Sequence, residues 1–246
     1  MKPLRWQVKL GGTLLLLTLL LYAAHFLIFR DAHHIAIYLL GDLAFLPIQV
    51  LLVSLILERL LVQRERQQKL DKMNMVIGAF FSEVGTRLLD SFSRFDASTE
   101  TICSRLKVRA DLGEPDIAAI RRFLKTYDFP VVTARADLEE LKTFLVGKRQ
   151  FLLTLLENPN LLEHDTFTDL LWAVFHLMEE LAFRNRFGDL PASDHDHLAH
   201  DMKRAYRLLV SEWLEYLRHL KKRYPYLFSL SIRTNPFDRD ASVIVR

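Results

Sequence analysis

The chain lacks the short motifs of the commonest enzyme chemistries. Its 246 residues contain no glycine-rich phosphate loop, no dinucleotide-binding fingerprint, no His-Glu-x-x-His and no Gly-x-Ser-x-Gly. Ordinary nucleotide, hydride-transfer and hydrolase chemistry therefore has no support, and we expect no cofactor. No run of serine, glycine or proline marks a linker between two soluble domains.

Cysteine is nearly absent, and the net charge is small. Cys103 is the only cysteine, which excludes an internal disulfide and a zinc finger and suits a reducing cytosol. The formal net charge is +3, and after the first 57 residues, which hold four basic and two acidic side chains, 29 basic and 28 acidic residues remain. A nearly neutral domain has no electrostatic footprint for DNA or RNA, so we expect no nucleic-acid partner.

Two long apolar runs are present near the N-terminus, at residues 10–29 and 35–57. Each has about the 20 residues that a helix needs to cross a bilayer. The first run is longer than the apolar part of a signal peptide, has no small-x-small cleavage site and is followed at once by the second. The sequence therefore predicts a two-helix transmembrane hairpin over residues 1–57, with the lipid bilayer as its partner and a tight turn at residues 30–34.

Basic residues predict the orientation of this hairpin. Lys2, Arg5 and Lys9 precede the first run, whereas the turn holds only Arg30, beside Asp31. Because lysine and arginine favour the cytoplasmic side, we expect a two-pass protein of the inner (cytoplasmic) membrane with both termini in the cytoplasm. Five more basic side chains follow the second run and are expected to contact anionic lipid headgroups: Arg59, Arg64, Arg66, Lys69 and Lys72.

Both apolar runs carry a polar stripe. A lone charge deep in a bilayer costs at least about 2.5 to 3.5 kcal/mol, so Asp42 should pair with His25 or Tyr22, be protonated or face water. The stripes are either interhelical hydrogen-bonding glue or the lining of a proton or cation path. Helical spacing places three polar side chains on one face of each helix: Thr18, Tyr22 and His25 in the first, and Tyr38, Asp42 and Gln49 in the second.

The remainder of the chain predicts an all-α fold. A polar helix of alternating charge, residues 58–73, continues the second run as a juxtamembrane stalk. Residues 74–246 are expected to form one cytosolic bundle of five or six helices. Start and stop signals place helices at about residues 96–109, 113–128, 133–157, 166–186 and 193–223. Only residues 242–245 alternate as a strand would.

An amphipathic pattern opens the predicted bundle, with apolar residues at helical spacing from Ile77 to Phe95. Gly78, Ser82 and Gly85 add a strip of small residues. Because glycine costs up to about 1 kcal/mol inside a helix, the two glycines indicate close contact with another backbone, within the fold or between subunits. The homo-oligomer that we expect would associate through the membrane hairpin and this strip.

Histidine and acidic residues near residue 197 form the one cluster in the sequence that resembles a metal-binding or catalytic site. On a helix His197 and Asp201 share a face, and an antiparallel neighbour would bring carboxylates and imidazoles to meet them. The competing interpretation is helix capping by Ser193 and Asp196, with a buried, hydrogen-bonded histidine in the preceding apolar helix. The candidate ligands for iron, manganese or zinc are His176, Glu180, His197, His200 and Asp201.

The C-terminal tail, residues 224–237, is unusually aromatic. Asn235-Pro236 predicts a turn, and we expect the aromatic side chains to fold back onto the bundle. The alternative is a docking segment for a protein partner.

Residues 44–48 and 74–85, together with this tail, resemble an uncharacterised group of prokaryotic two-pass membrane proteins. The resemblance covers most of the chain. It implies a bacterial or archaeal inner membrane and brings no activity, cofactor or site residue with it.

The leading functional hypothesis is a non-enzymatic, oligomeric inner-membrane protein whose cytosolic helical domain senses, scaffolds or gates. It follows from polar-striped spans joined through a stalk to a bundle without a catalytic motif. The first alternative is a membrane-tethered, metal-dependent enzyme with a His/Glu site in the bundle. The second is a proton or cation pore through the polar faces of the two spans.

Overall fold

The described chain is helical almost throughout. The computed structural model describes residues 3–159, 161 and 164–245, and within these ranges the side chains of residues 3–5, 66, 68–70 and 135 are not described. About 80% of the chain is helix. Outside the helices, the described residues include one isolated antiparallel bridge, between Asp96 and Val131. The predicted all-α class is confirmed, and the residues predicted to alternate as a strand, 242–245, form none.

Ten α-helices follow one another in the described residues. In chain order they are α1 (Pro3–Phe29), α2 (Ala32–Phe80), α3 (Thr86–Phe95), α4 (Thr99–Leu106), α5 (Glu114–Thr126), α6 (Leu138–Gly147), α7 (Arg149–Leu156), α8 (Asp165–Phe183), α9 (Ala192–Arg223) and α10 (Pro225–Arg233). A π-helical segment, Phe81–Gly85, joins α2 to α3, and a 3-10 turn, Thr133–Arg135, precedes α6. The chain divides into two compact units, Met1–Arg66 and Gln67–Arg246.

The N-terminal unit consists of α1 and the apolar part of α2. The segments Trp6–Phe29 and Ala32–Glu65 are long and apolar enough to cross a membrane, by length and composition. Their large apolar side chains are exposed. The link between them is shorter than predicted, because the Asp31 carboxylate accepts a hydrogen bond from the His34 N–H at 3.0 Å and lets α2 begin at Ala32.

Helix α2 runs without interruption to Phe80 and contains Pro47. The residues predicted as a stalk, 58–73, are therefore helical, as their alternating charges and lack of glycine and proline indicate. The side chains of Arg59, Arg64 and Lys72 are exposed, whereas those of Arg66 and Lys69 lie outside the described residues. Headgroup binding by these five residues stays a prediction.

The C-terminal unit is built around α8 and α9. The two helices are antiparallel, since Thr166 at the start of α8 is within hydrogen-bonding distance of Glu212 in the second half of α9, whereas Glu180 near the end of α8 faces His197 in the first turns of α9. Helix α8 buries residues on nearly every side because α6 and α7 also pack against it. The amphipathic segment from Ile77 to Phe95 covers the same core with fully buried apolar side chains.

The helix predicted between α5 and α8 is divided into shorter ones. The segment expected to form one helix over residues 133–157 is divided into the 3-10 turn, α6 and α7. Asp137 starts a new helix because its carboxylate accepts a hydrogen bond from the Glu140 N–H at 2.8 Å. Helix α6 then ends at Gly147, and after Lys148 the next helix, α7, begins at Arg149. These local capping signals override the continuous helical pattern.

Gly78 and Gly85 make close contacts within the chain, which is one of the two alternatives that their spacing left open, and the oligomer interface stays a prediction. A Cβ atom at Gly85 would lie 2.6 Å from Cδ1 of Phe81, and one at Gly78 would lie 3.2 Å from Oη of Tyr216. The Phe81 ring stacks on the Tyr216 ring, with 5.1 Å between centroids. Of the predicted strip only Ser82 is exposed. The glycines therefore make room for aromatic packing inside the bundle.

The aromatic tail folds back onto the bundle, as predicted. The Asn235 side-chain amide is buried and donates to the Leu106 carbonyl at 2.9 Å. The ring of Phe237 is 1% exposed and lies 5.2 Å from the ring of Trp213. Part of the tail stays accessible, because Tyr226 is 70% exposed.

The crowding at Gly85 predicts a specific instability. In Gly85→Ala the new methyl group must displace the buried Phe81 ring, so we expect the free energy of unfolding to fall by about 1 to 3 kcal/mol. The matched control is Gly147→Ala, where no atom lies within 4 Å of the new Cβ and a gain of up to about 1 kcal/mol is expected from helix propensity. Thermal unfolding of the full chain in detergent, followed by circular dichroism, measures both. Equal melting temperatures for the two variants would contradict the packing described.

Candidate functional site

Four ionisable side chains meet where the end of α8 faces the start of α9. His176 and Glu180 lie one turn apart on α8, and His197 and Asp201 lie one turn apart on α9. Because α-helical residues at i and i+4 share a face, each helix presents one histidine and one carboxylate to the other. We call these four residues the α8–α9 cluster.

The polar atoms of the cluster lie close enough together to bind one ion. His176 Nε2 is 3.8 Å from Glu180 Oε1 and 3.4 Å from Asp201 Oδ2. His197 Nε2 is 3.5 Å from Glu180 Oε2 and 3.3 Å from Asp201 Oδ2. One ligand atom from each of His176, Glu180 and His197 lies within 4.8 Å of the others. Two histidine nitrogens and one Glu180 oxygen are therefore mutually close enough to share one ion, and Asp201 Oδ2 lies next to both histidine nitrogens.

Asp201 differs from the other members of the cluster because it is almost fully buried. Its side chain is 4% exposed, yet Oδ2 has no hydrogen-bond partner in the described part of the chain. Its other oxygen, Oδ1, lies 3.9 Å from the Arg204 guanidinium. Buried carboxylate oxygens are normally satisfied, since leaving one bare costs about 1 to 3 kcal/mol or more. A cation at the cluster would satisfy Oδ2.

The spacing fits a tetrahedral metal ion. Zinc binds histidine nitrogen and carboxylate oxygen at about 2.0 to 2.2 Å, which places neighbouring ligand atoms of a tetrahedron about 3.3 to 3.6 Å apart. Three of the four measured separations are 3.3, 3.4 and 3.5 Å, and the fourth is 3.8 Å. Imidazole and carboxylate also suit iron and manganese, so the donor set indicates a divalent transition metal and excludes a preference for calcium or magnesium.

Arg184 orients the cluster from outside it. Its guanidinium donates to Glu180 Oε2 at 2.7 Å and to both carboxylate oxygens of Asp194, at 2.6 and 2.7 Å. These hydrogen bonds are the main reason that the pKa values of Glu180 and Asp194 lie below their usual range. Glu180 is therefore held ionised and directed at the two histidines, and the end of α8 is tied to the first turn of α9.

The structure brings together four of the five predicted metal ligands. The fifth, His200, is exposed and lies outside the α8–α9 cluster. The predicted capping box is wrong, because α9 begins at Ala192 with Pro191 as its N-cap, and Ser193 is already helical. Arg184 was missed, although an arginine four residues after Glu180 is a spacing that favours an ion pair.

His176 and Trp172 correct a second prediction, namely that the middle of α8 is buried all round. The side chain of His176 is 46% exposed, and Trp172 is 56% exposed. Phe183 is 84% exposed, whereas Phe175 is buried. These exposed residues share the one face of α8 that its neighbouring helices leave open. The α8–α9 cluster is therefore accessible from solvent through its histidines.

The polar residues of the two apolar helices form a separate group in the N-terminal unit. Tyr22, His25, Tyr38 and Asp42 line one cavity of about 300 Å³ together with His34. The buried His25 Nδ1 has no hydrogen-bond partner among the described residues, and Asp42 lines the same cavity as His25 and Tyr22, the two partners predicted for it. Two predicted members lie apart from this cavity, namely Thr18, whose hydroxyl donates to the Leu14 carbonyl at 2.9 Å, and Gln49.

Sequence comparison relates the chain to one family over both of its units. Residues 69–233 match the family described as "Uncharacterized protein MJ1433, C-terminal helical domain", and residues 2–61 match "MJ1433, N-terminal helical domain". Uncharacterized protein MJ1433 of Methanocaldococcus jannaschii is 44% identical over 244 residues, which cover 99% of this chain and 98% of that protein. No solved structure gives a significant match. These descriptions name no ligand or reaction, so function rests on the geometry.

The Arg184–Asp194 pair predicts an acid-dependent loss of stability. Because its pKa is lower in the folded chain than in the unfolded chain, Asp194 contributes its full stabilisation above pH of about 4 and loses it as the pH falls through the folded pKa. We expect Asp194→Asn to cost about 1 kcal/mol at pH 7 and progressively less below pH of about 4. The control is Asp196→Asn, at an exposed position. Melting temperatures between pH 7 and pH 3 measure the difference, and a constant gap would contradict the ion pair.

Proposed function

We propose that this chain, which belongs to the MJ1433 family, is a membrane-anchored protein that binds one divalent transition-metal ion in the α8–α9 cluster. The observation that carries the proposal is the buried Asp201 Oδ2, which has no hydrogen bond and faces two histidine nitrogens at 3.3 and 3.4 Å. A bare buried carboxylate oxygen is costly, and a metal ion removes that cost.

The number of protein ligands favours metal sensing over catalysis. Structural and regulatory zinc sites are closed by four protein ligands, whereas catalytic zinc sites use three and keep one position for water. The α8–α9 cluster offers three mutually close donors, from His176, Glu180 and His197, and Asp201 beside both histidines would be the fourth. An ion held by two residues from each helix would join α8 to α9, so metal occupancy would change the stability of the pair that forms the centre of the bundle. This is a non-enzymatic sensing function for the C-terminal unit.

Membrane anchoring is supported by the N-terminal unit. Two helices are long and apolar enough to span a bilayer, and their apolar side chains are exposed in the described N-terminal unit. Apolar surface of this extent marks a membrane or an interface with another protein. We propose a two-pass hairpin with both termini in the cytoplasm, because the basic residues flank the spans on that side. Association of chains through this hairpin would supply the oligomer.

A metal-dependent enzyme is the second candidate. The exposed fractions of His176 and His197, 46% and 47%, would let water or a substrate reach the ion. Iron and manganese accept six ligands, so four protein ligands would leave two positions open. The two candidates differ in the bound metal: zinc with four protein ligands supports sensing, whereas iron or manganese with bound water supports catalysis.

Metal content and binding test the proposal directly. Full-length protein purified in detergent without chelator should contain one divalent transition-metal ion per chain, measured by mass spectrometry of the elements. Asp201→Asn and His197→Ala should weaken zinc binding in calorimetry by at least about tenfold to a hundredfold, the range that even outer-shell partners cost. The matched control, His200→Ala, changes a histidine on the same helix outside the cluster and should bind normally.

The stability of the metal-bound protein gives a second measurement. Zinc at about 100 times its dissociation constant should stabilise the wild type by about 2.7 kcal/mol and leave Asp201→Asn nearly unchanged. Absence of metal at any stoichiometry, together with no zinc-dependent shift of the melting temperature in the wild type, would overturn the proposal.

Reporter fusions test the topology. A reporter that is active only outside the cytoplasm should be active when inserted after Arg30 and inactive when fused to the C-terminus, because only the short link between α1 and α2 would reach the far side. A reporter that is active only inside the cytoplasm should give the reverse pattern and serves as the control. A C-terminus on the far side of the membrane would contradict the proposed orientation.

A further inference from the structure

The C-terminal unit contains a cavity that is separate from the α8–α9 cluster. It has a volume of about 760 Å³ and is lined by α3, α4 and the segment that follows α10. We call it the tail pocket. Its size lies within the range of small-molecule sites. Four of its lining side chains are arginines and two are aspartates: Arg87, Arg94, Arg233, Arg239, Asp90 and Asp238.

The two carboxylates of the tail pocket are already paired. The Asp90 carboxylate accepts a hydrogen bond from the Arg94 guanidinium at 2.7 Å, one turn along α3. Asp238 lies 2.7 Å from Nζ of Lys107. The same lysine also lies 3.2 Å from Asp240 Oδ2, so it is shared by two carboxylates, and neither Asp90 nor Asp238 contacts Arg233 or Arg239 in the described chain.

Arg87 is also engaged outside the tail pocket. Its guanidinium donates to Glu140 at 3.0 Å and lies 4.3 Å from the centre of the Phe144 ring, both on α6. Its charge is balanced there. Arg94 and Arg87 thus contribute little net positive charge to the tail pocket.

Arg233 and Arg239 are left without a carboxylate partner in the part of the chain that the structure describes. The Arg233 guanidinium donates to backbone carbonyls, those of Val243 and Ser229, which orient it without neutralising it. No ion pair of Arg239 occurs in the described chain, and its positive charge acts on the Cys103 thiol across the pocket. The pocket therefore holds two guanidinium groups that no carboxylate contacts among the described residues.

We propose that the tail pocket binds a phosphate-bearing anion between Arg233 and Arg239. Guanidinium groups match the oxygens of a phosphate in charge and in geometry, and they bind it with two parallel hydrogen bonds. The hydroxyl groups of Ser82 and Thr86 line the same pocket and offer further donors. Two positive charges fit a phosphate monoester or a pyrophosphate, which carry about two negative charges or more at neutral pH.

This chemistry has two sources, a soluble phosphorylated molecule or the headgroup of an anionic phospholipid. The proposal covers both because the recognised group is the same. It is independent of the metal site, since the tail pocket shares no residue with the α8–α9 cluster. Failure of either proposal therefore leaves the other intact.

Cys103 supplies a reporter for this pocket. It is the only cysteine of the chain, it lines the pocket, and it is half-buried. Burial raises the pKa of its thiol, and the positive charge of Arg239 opposes that increase. An anion bound between the two arginines would block access to the thiol and neutralise that charge. Both effects slow its reaction with an uncharged maleimide.

The experiment measures the rate of Cys103 alkylation in full-length protein reconstituted in nanodiscs of neutral lipid. Pyrophosphate at ten times its dissociation constant should slow alkylation of the wild type about tenfold, whereas sodium chloride of equal ionic strength should not. Arg233→Gln and Arg239→Gln should lose this protection when each is compared with its own rate in chloride. The control is Arg122→Gln, which removes an exposed arginine of α5 outside the pocket and should keep it. Circular dichroism verifies that each variant is folded.

A second arm separates the two sources. Protection by pyrophosphate in neutral nanodiscs supports a soluble ligand, and protection that appears only in nanodiscs of anionic phospholipid supports a headgroup. Both outcomes require loss of protection in Arg233→Gln and Arg239→Gln. The proposal is overturned if neither probe slows alkylation of the wild type, if chloride protects equally, or if folded Arg233→Gln and Arg239→Gln are protected as well as the wild type.

Discussion

Apolar packing between α8 and α9 holds the C-terminal unit together. Helix α8 buries leucine, valine, phenylalanine and methionine on several sides, and it packs against α9, whose buried side chains include Leu198, Met202, Leu209 and Leu217. This contact also fixes the register of the two helices, that is, which turn of α8 lies beside which turn of α9. Glu180 and His197 meet because the antiparallel register of the two helices brings the last turns of α8 to the first turns of α9.

Two buried aspartates show how differently a carboxylate can be treated in the same fold. Asp96 is fully buried, and its oxygens accept hydrogen bonds from the Tyr127 hydroxyl at 2.8 Å and from the Ser98 N–H at 2.7 Å. That arrangement is complete without a ligand and raises the pKa of Tyr127, chiefly through burial of the phenol and then through its hydrogen bond to Asp96. Asp201 is equally buried and keeps one oxygen bare. A carboxylate whose oxygens are all hydrogen-bonded is structural, whereas a buried one with an oxygen that accepts no hydrogen bond is a candidate metal ligand.

The two candidate sites of the C-terminal unit are made in different ways. The α8–α9 cluster uses residues with helical spacing on two neighbouring helices, with Arg184 as the group that orients them. The tail pocket exists because the segment after α10 returns to the bundle and is anchored by Asn235 and Phe237. One site therefore depends on helix register and the other on the docking of a short irregular segment.

Periodicity and composition in the sequence were sufficient for the all-α class, the two apolar helices, the fold-back of the aromatic tail and the proximity of the four residues of the α8–α9 cluster, because each follows from local spacing and from the burial of apolar side chains. Helix breaks at Asp137 and Gly147, the exposure of His176 and the inward position of Gly85 did not follow from spacing. They depend on which faces the neighbouring helices cover, a property of the packed bundle. The pairing of Arg184 with Asp194 and the tail pocket belong to the same class, because residues more than one helical turn apart are brought together only when the helices pack, whereas the pair of Arg184 with Glu180 is local.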